Sequence, residues 1–150
     1  EFRRVLFRSG WQKVLMNYVI DCSFSSALFL PDEKSDTVRK FFLEMKNTDQ
    51  LMVPQLWWYE TGNVLNISLK RKRLNHNEAV SVIDLLKKIK LITDVESGPE
   101  YIHRLFELTQ LYGISSYDAA YLELSIRMKC PLMTLDAELI VAAREIGVFK

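Results

Sequence analysis

The chain has little of several things, and each scarcity narrows its class. Two cysteines in 150 residues, Cys22 and Cys130, are too few for a disulfide framework or a four-cysteine zinc site, which fits a reducing cytoplasm. Five glycines and four prolines exclude a collagen-like or low-complexity chain. No apolar run approaches the roughly 20 residues that cross a bilayer as a helix, so no membrane span is expected. The two histidines, His76 and His103, lack a partner at metal-ligand spacing and read as ordinary surface or helix residues. Neither sign of charge dominates, with 20 Lys and Arg against 19 Asp and Glu. What the chain does have is apolar residues, at 49%, too many for a disordered polypeptide. A chain of this length can bury roughly 70% of its unfolded surface as one domain.

The first residues stand apart. EFRRVLFRS (residues 1–9) back-translates to GAG TTC AGA CGT GTG CTC TTC CGA TCT, which resembles a common sequencing adapter read in frame. Residues 1–15 are therefore expected to be a non-native leader, with residues 1–9 adapter-derived and Met16 the candidate start. The other reading of residues 1–9 is a short basic amphipathic arm. Without Arg3, Arg4, Arg8, Lys13 and Glu1, 16 basic and 18 acidic residues remain, net −2. Global charge then gives no support for nucleic-acid binding, and any such role must rest on a local patch.

From Met16 onward, short apolar runs alternate with helical periodicity. Residues 17–21 read as a buried strand ending in an acid, with Ser23 as cap for a helix over residues 24–30. Helices follow over residues 34–46, 55–70, 76–88, 100–112, 117–128 and 137–146. In the third, Leu56, Val64 and Ile67 form the inward stripe; in the fourth, Ala79, Val80, Ile83 and Leu86 do. Short strands are expected at residues 51–53, 91–92, 131–133 and 148–149. This alternation argues for an α/β fold: three α/β/α layers around a short-stranded, mostly parallel sheet, one domain over residues 16–150.

In such a sheet, ligands gather beyond the carboxyl ends of the strands, where the strand order reverses. Four carboxylates are expected there. Asp21 ends strand one, Asp136 follows the fourth strand, and Asp118 opens a helix after Gly113. Glu60 lies four residues after Leu56 and four before Val64, on the stripe assigned to the core. A buried, unpaired carboxylate is costly, so Glu60 either meets a cationic side chain or opens onto a polar cleft. Asp118 and Asp136 each also suit a helix N-terminus, where a carboxylate accepts backbone amides. Asp21 is harder to assign to a structural role, because aspartate is disfavoured in strands. Clustered carboxylates raise one another's pKa unless a cation is present. A hard, oxygen-preferring ion such as Mg²⁺ or Mn²⁺ relieves that repulsion and supports phosphoryl chemistry.

Four segments then resemble the PIN-domain nucleases, in particular the VapC-like toxins: NYVIDCS (17–23), VPQLWWYETGNVL (53–65), ISSYDAAYLELS (114–125) and PLMTLDAELIVAAREIGV (131–148). The resemblance implies a metal-dependent endoribonuclease using Mg²⁺ or Mn²⁺. Its acidic quartet falls on Asp21, Glu60, Asp118 and Asp136, with Asp21 and Asp118 the principal metal ligands and Asp136 the most variable. Ser23, Thr134 and Asn63 match polar positions that support the site. It also implies a homodimer, an RNA substrate and a small antitoxin that often inserts a basic residue near the acids. Gly62 departs from the more usual small aliphatic residue, at a helix cost of about 1 kcal/mol against alanine.

Lys70, Arg71, Lys72 and Arg73 form the one dense basic run, suited to steering RNA phosphate or to a solvated helix end. Trp57 and Trp58 cannot both face the core; the outer one suits a subunit interface or, less readily, a base. Cys22 and Cys130 read as packing residues, Cys22 pointing to the strand face opposite Asp21. The alternative function is a binding or dimerisation module with weak or no cleavage; an intact quartet argues against it. A phospho-receiver domain would need adjacent acids after strand one and a late lysine. A haloacid-dehalogenase-like phosphatase would need aspartate where Ser23 stands.

Overall fold

The computed structural model of the chain describes residues 16–30 and 36–150. The expected leader at residues 1–15 lies outside the described residues, as does the start of the predicted 34–46 helix. Four parallel strands form one sheet in the order β3-β2-β1-β4: β1 (Asn17–Ile20), β2 (Gln50–Pro54), β3 (Leu91–Asp94) and β4 (Leu132–Met133). Seven helices flank it among the described residues: α1 (Cys22–Phe29), α2 (Asp36–Glu44), α3 (Leu56–Lys70), α4 (His76–Lys88), α5 (Pro99–Tyr112), α6 (Ser116–Met128) and α7 (Ala137–Ile146). The α/β class with a parallel central sheet is therefore as expected, with every strand pairing parallel. The predicted last strand at residues 148–149 is reduced to a single bridge, Phe149 against Leu132, because the chain has only just left α7.

Strand order explains where a site can form. From β1 the chain steps outward to β2 and then β3, and returns to lay β4 on the other side of β1. The order reverses between β1 and β4, which opens a crevice at their carboxyl ends. Register there is held by Ile20 paired with Met133, and the Asp21 amide donates to the Met133 carbonyl at 3.1 Å. Asp21 and Asp136 leave the sheet side by side for this reason.

The core is built from apolar strands buried on both faces. Val19, Leu51, Val53 and Leu132 are fully buried, as expected for a parallel sheet with helices packed on it. The central helix is α6, in which residues 119–125 are all buried and which packs on β1, β2 and β4. Its one buried acid, Glu123, accepts from Arg104 and Arg127 at 2.8 and 2.9 Å, which offsets the cost of taking a carboxylate out of water. Tyr18, Phe24, Phe41 and Phe42 meet mainly edge-to-face between β1, α1 and α2.

Two helical stripes differ from expectation. The buried line of α3 is Trp57, Thr61, Leu65 and Ser68, one position on from the Leu56–Val64–Ile67 stripe. Fully buried Trp57 sets this register, and its indole N–H donates to Ser25 Oγ at 3.1 Å. In α4, Ala79 and Val82 are buried whereas Val80 and Ile83 are exposed. Apolar residues outnumber the inward positions on both helices, so composition overstates the inward face.

Candidate active site

Asp21 is the most constrained of the four acids. It, rather than Ser23, caps α1: its Oδ1 accepts the Phe24 amide at 2.8 Å. The helix starts two residues earlier than the spacing suggests because the acid leaving β1 is itself an effective N-cap. Ser23 lies in the first turn and turns its hydroxyl back to both Asp21 oxygens, at 2.8 and 2.9 Å. Thr134, on the segment after β4, donates to Oδ2. Even so, burial outweighs these donors and pushes Asp21 up from 3.8 to about 6, with the nearby Asp136 adding to the rise.

Glu60 sits on the face of α3 next to the buried line, half-buried beside the crevice. Burial raises its pKa, the Tyr121 hydroxyl lowers it, and the charges of Asp21 and Asp118 raise it further. Asp118 lies in the first turn of α6, where Ser115 caps the helix. Ser115 Oγ accepts the Asp118 amide at 3.1 Å and donates to Asp118 Oδ2 at 2.7 Å. Asp136 caps α7, its Oδ1 accepting the Leu139 amide at 2.9 Å, and its own amide donates to Thr134. The cap reading of Asp136 is thus realised, whereas at α6 the cap is Ser115 and the Asp118 carboxylate accepts its hydroxyl rather than a backbone amide.

One pattern runs through three of the acids. Glu60, Asp118 and Asp136 each have one carboxylate oxygen held by a donor from the chain. The second oxygen of each has no hydrogen-bond donor among the described residues. No Lys or Arg forms an ion pair with any of the four among those residues, so the salt bridge considered for Glu60 is not made there. Electrostatic coupling links Asp21 to Glu60 and Asp136, and Glu60 to Asp118. The four do not form a closed cage: no three His, Cys, Asp or Glu side chains among the described residues are grouped to hold an ion unaided. An all-oxygen donor set in which burial raises the pKa of Asp21 and Glu60, and with no cation paired to it among the described residues, fits Mg²⁺, which keeps several of its waters and takes only one or two carboxylates.

A cavity of about 610 Å³ opens beside the acids. Glu60, Asp136, Ser23, Asn63 and Arg73 reach it, whereas Asp21 is buried beneath and Asp118 stands outside its lining. Asn63 is exposed on α3, three residues on from Glu60 and therefore on the same side. Of the basic run, Arg73 alone lines this cavity; Lys70 ends α3, Arg71 caps it, and Lys72 turns the chain in the left-handed region at φ 56°. Cys22 departs from expectation. As the first residue of α1 it faces the same cavity, its thiol 3.9 Å from Thr61 Oγ1, and burial raises its pKa. Cys130 is buried as expected, its thiol pushed up to about 11.

Sequence reading passed over two residues here, Ser115 and Tyr121. The signal was present: Tyr121 interrupts a run of small and aliphatic residues in α6, and a buried phenol requires an acceptor. Three residues separate it from Asp118, which places both on one side of the helix.

Comparison with known proteins agrees with this geometry. The family model described as PIN domain matches residues 18–145. Ribonuclease VapC3 of Pyrobaculum aerophilum is 30% identical over 124 residues, covering 83% of this chain and 92% of that protein. Two solved structures share the fold. PAE2754 from Pyrobaculum aerophilum superposes with a TM-score of 0.62 at 23% identity, over 85% of this chain and 79% of that one. VapC20 of Mycobacterium tuberculosis, a Sarcin-Ricin loop cleaving toxin, gives 0.61 at 17% identity, over 83% of this chain and 94% of that one. The match spans every segment that carries the four acids, and the chain belongs to the PIN-domain family, as a relative of a VapC ribonuclease.

Proposed function

We propose that this protein is a metal-dependent endoribonuclease, the toxin of a toxin–antitoxin pair, hydrolysing RNA phosphodiester bonds with Mg²⁺ or Mn²⁺. The observation that carries the reading is the set of coupled carboxylates at the β1–β4 crevice, each of three with one oxygen held by the chain and one left without a donor among the described residues. Asp21, Glu60, Asp118 and Asp136 are the residues that would hold the ion. When bound, the ion supplies Lewis-acid stabilisation of charge on the scissile phosphate and lowers the pKa of water.

The chain's own residues do the rest. Ser23 and Thr134 orient Asp21 from two sides, and Thr134 also ties the Asp136 amide into the same cluster. Asn63 offers an amide at the cavity rim for a ribose or phosphate oxygen. Lys70, Arg71, Lys72 and Arg73 lie at and beyond the end of the helix carrying Glu60, where they steer the RNA backbone by charge. The same reading assigns a homodimeric state, a cytoplasmic location and a small antitoxin that supplies a cationic side chain to the acids. Among the described residues, no helix is long and apolar enough to cross a membrane.

The test is cleavage of RNA by wild type and Asp21→Asn in Mg²⁺, in Mn²⁺ and in chelator. Wild type cleaves only with the ion and the variant does not; equal cleavage by both proteins overturns the reading.

A further inference from the structure

Glu60 has three side-chain torsions, and holding it in one place requires a partner. Among the described residues its donor is the Tyr121 hydroxyl, which donates to Oε2; Oε1 receives none. Tyr121 is 2% exposed, and Asp118, Ala119, Ala120 and Leu122 surround it along the most buried helix of the fold. A ring enclosed in a close-packed core has a fixed position, so its hydroxyl is a stationary donor rather than a mobile one. Glu60 comes to it from α3, a separate element, and the bond therefore sets the distance between α3 and the Asp118 turn of α6.

We propose that Tyr121 is a positioning residue that occupies Glu60 Oε2 and thereby limits Glu60 to a single oxygen toward a divalent cation. The inference rests on the reading of these acids as a cation site. Ser115 and the Leu139 amide do the same for Asp118 and Asp136, so three of the four acids present one oxygen without a donor among the described residues, whereas both Asp21 oxygens accept from the chain. This has a consequence for selectivity. Mg²⁺ requires near-octahedral coordination at short distances and retains water, whereas Ca²⁺ takes six to eight oxygens and readily accepts both oxygens of a carboxylate. Holding one oxygen of Glu60 back from the ion favours the smaller ion over the larger.

The experiment is calorimetric titration of Mn²⁺ into the protein, with Mg²⁺ and Ca²⁺ measured by competition against it. Wild type, Tyr121→Phe, Glu60→Gln and the double variant are compared, each checked for a cooperative melt. Tyr121→Phe is expected to bind Mn²⁺ about tenfold more weakly, the lower end of what loss of a ligand-orienting partner does. Its Mg²⁺-over-Ca²⁺ preference is expected to shrink, which a packing defect alone would not produce. In the Glu60→Gln background the tyrosine change is expected to add nothing. If Tyr121→Phe does not fold, Glu60→Asp decides: one methylene shorter, it loses the tyrosine bond and is expected to lose the same preference. Unchanged Mn²⁺ affinity and unchanged ion preference in Tyr121→Phe, or in Glu60→Asp where that variant decides, overturn the inference while a loss in Glu60→Gln leaves the cation site standing. Unchanged Mn²⁺ binding in both Glu60→Gln and Asp21→Asn overturns the cation site itself.

Discussion

Replacing Asp21 by asparagine removes the most deeply buried acid of the crevice while keeping its size and its capacity to cap α1. In the ion-free protein the carboxyl titrates near 6 when folded and near 3.8 when the surroundings are lost, because burial penalises its charge more than Ser23, Thr134 and the Phe24 amide favour it. The folded chain thus holds the proton more tightly than the unfolded chain. Acid favours folding at this residue, and that stabilisation is lost as pH rises through about 6. At about 1.4 kcal/mol per pH unit, the span from 3.8 to about 6 corresponds to about 3 kcal/mol. Urea unfolding in chelator, at intervals from pH 4 to pH 7.5, measures it. The stability of Asp21→Asn minus that of wild type should be smallest near pH 4 and should grow by about 3 kcal/mol by pH 7.5. Any constant offset from a weaker cap cancels in this difference. Saturating Mn²⁺ should reverse the order at pH 7.5, because binding stabilises only the chain that holds the ion. A difference that stays flat with pH would refute the assignment of Asp21 as a carboxylate charged against its surroundings.

Three further outcomes are expected. Gly62→Ala should raise stability by about 0.5–1 kcal/mol without loss of cleavage, since Gly62 is inside α3 and an added Cβ meets nothing within 4 Å; a thermal melt checks it. Arg127→Met should lower stability by about 2 kcal/mol, less than for a sole partner because Arg104 still pairs with buried Glu123, with RNA cleavage by the folded fraction unchanged. Arg71→Ala and Lys72→Ala should each flatten the salt dependence of RNA binding, by about 0.7 in the log–log slope for each single-strand phosphate that is no longer neutralised; filter binding across salt concentrations reads it.

The class of fold and the edge of the sheet where the acids lie were legible because both depend on local patterns. Apolar runs such as Tyr18–Val19–Ile20 ending in Asp21 mark a buried parallel strand and its carboxyl end together. Helix positions were legible from periodicity, but the rotation of α3 was not: Leu56, Val64 and Ile67 satisfy the period as well as Trp57, Thr61 and Leu65 do. What decides between them is the volume of Trp57 and its bond to Ser25, a tertiary contact between residues 32 apart. That rotation moves Glu60 from the core to its margin, which resolves the difficulty of a carboxylate on an inward stripe. Cys22 was misplaced for a related reason. Treating it as a strand residue reverses its direction, whereas the cap at Asp21 makes it the first residue of a helix. Tyr121 was hidden by its setting, since a tyrosine in an apolar helix reads as packing until its hydroxyl's acceptor is known.

The most direct measurement of the central claim is a crystal structure grown with Mn²⁺ and phased at the manganese absorption edge. The account predicts an anomalous peak at the β1–β4 crevice, bounded by Asp21, Glu60 and Asp118, with the ion meeting Glu60 through the oxygen that Tyr121 does not hold. A protein that binds Mn²⁺ elsewhere, or whose acids stay protonated and metal-free at neutral pH in saturating Mn²⁺, would contradict it.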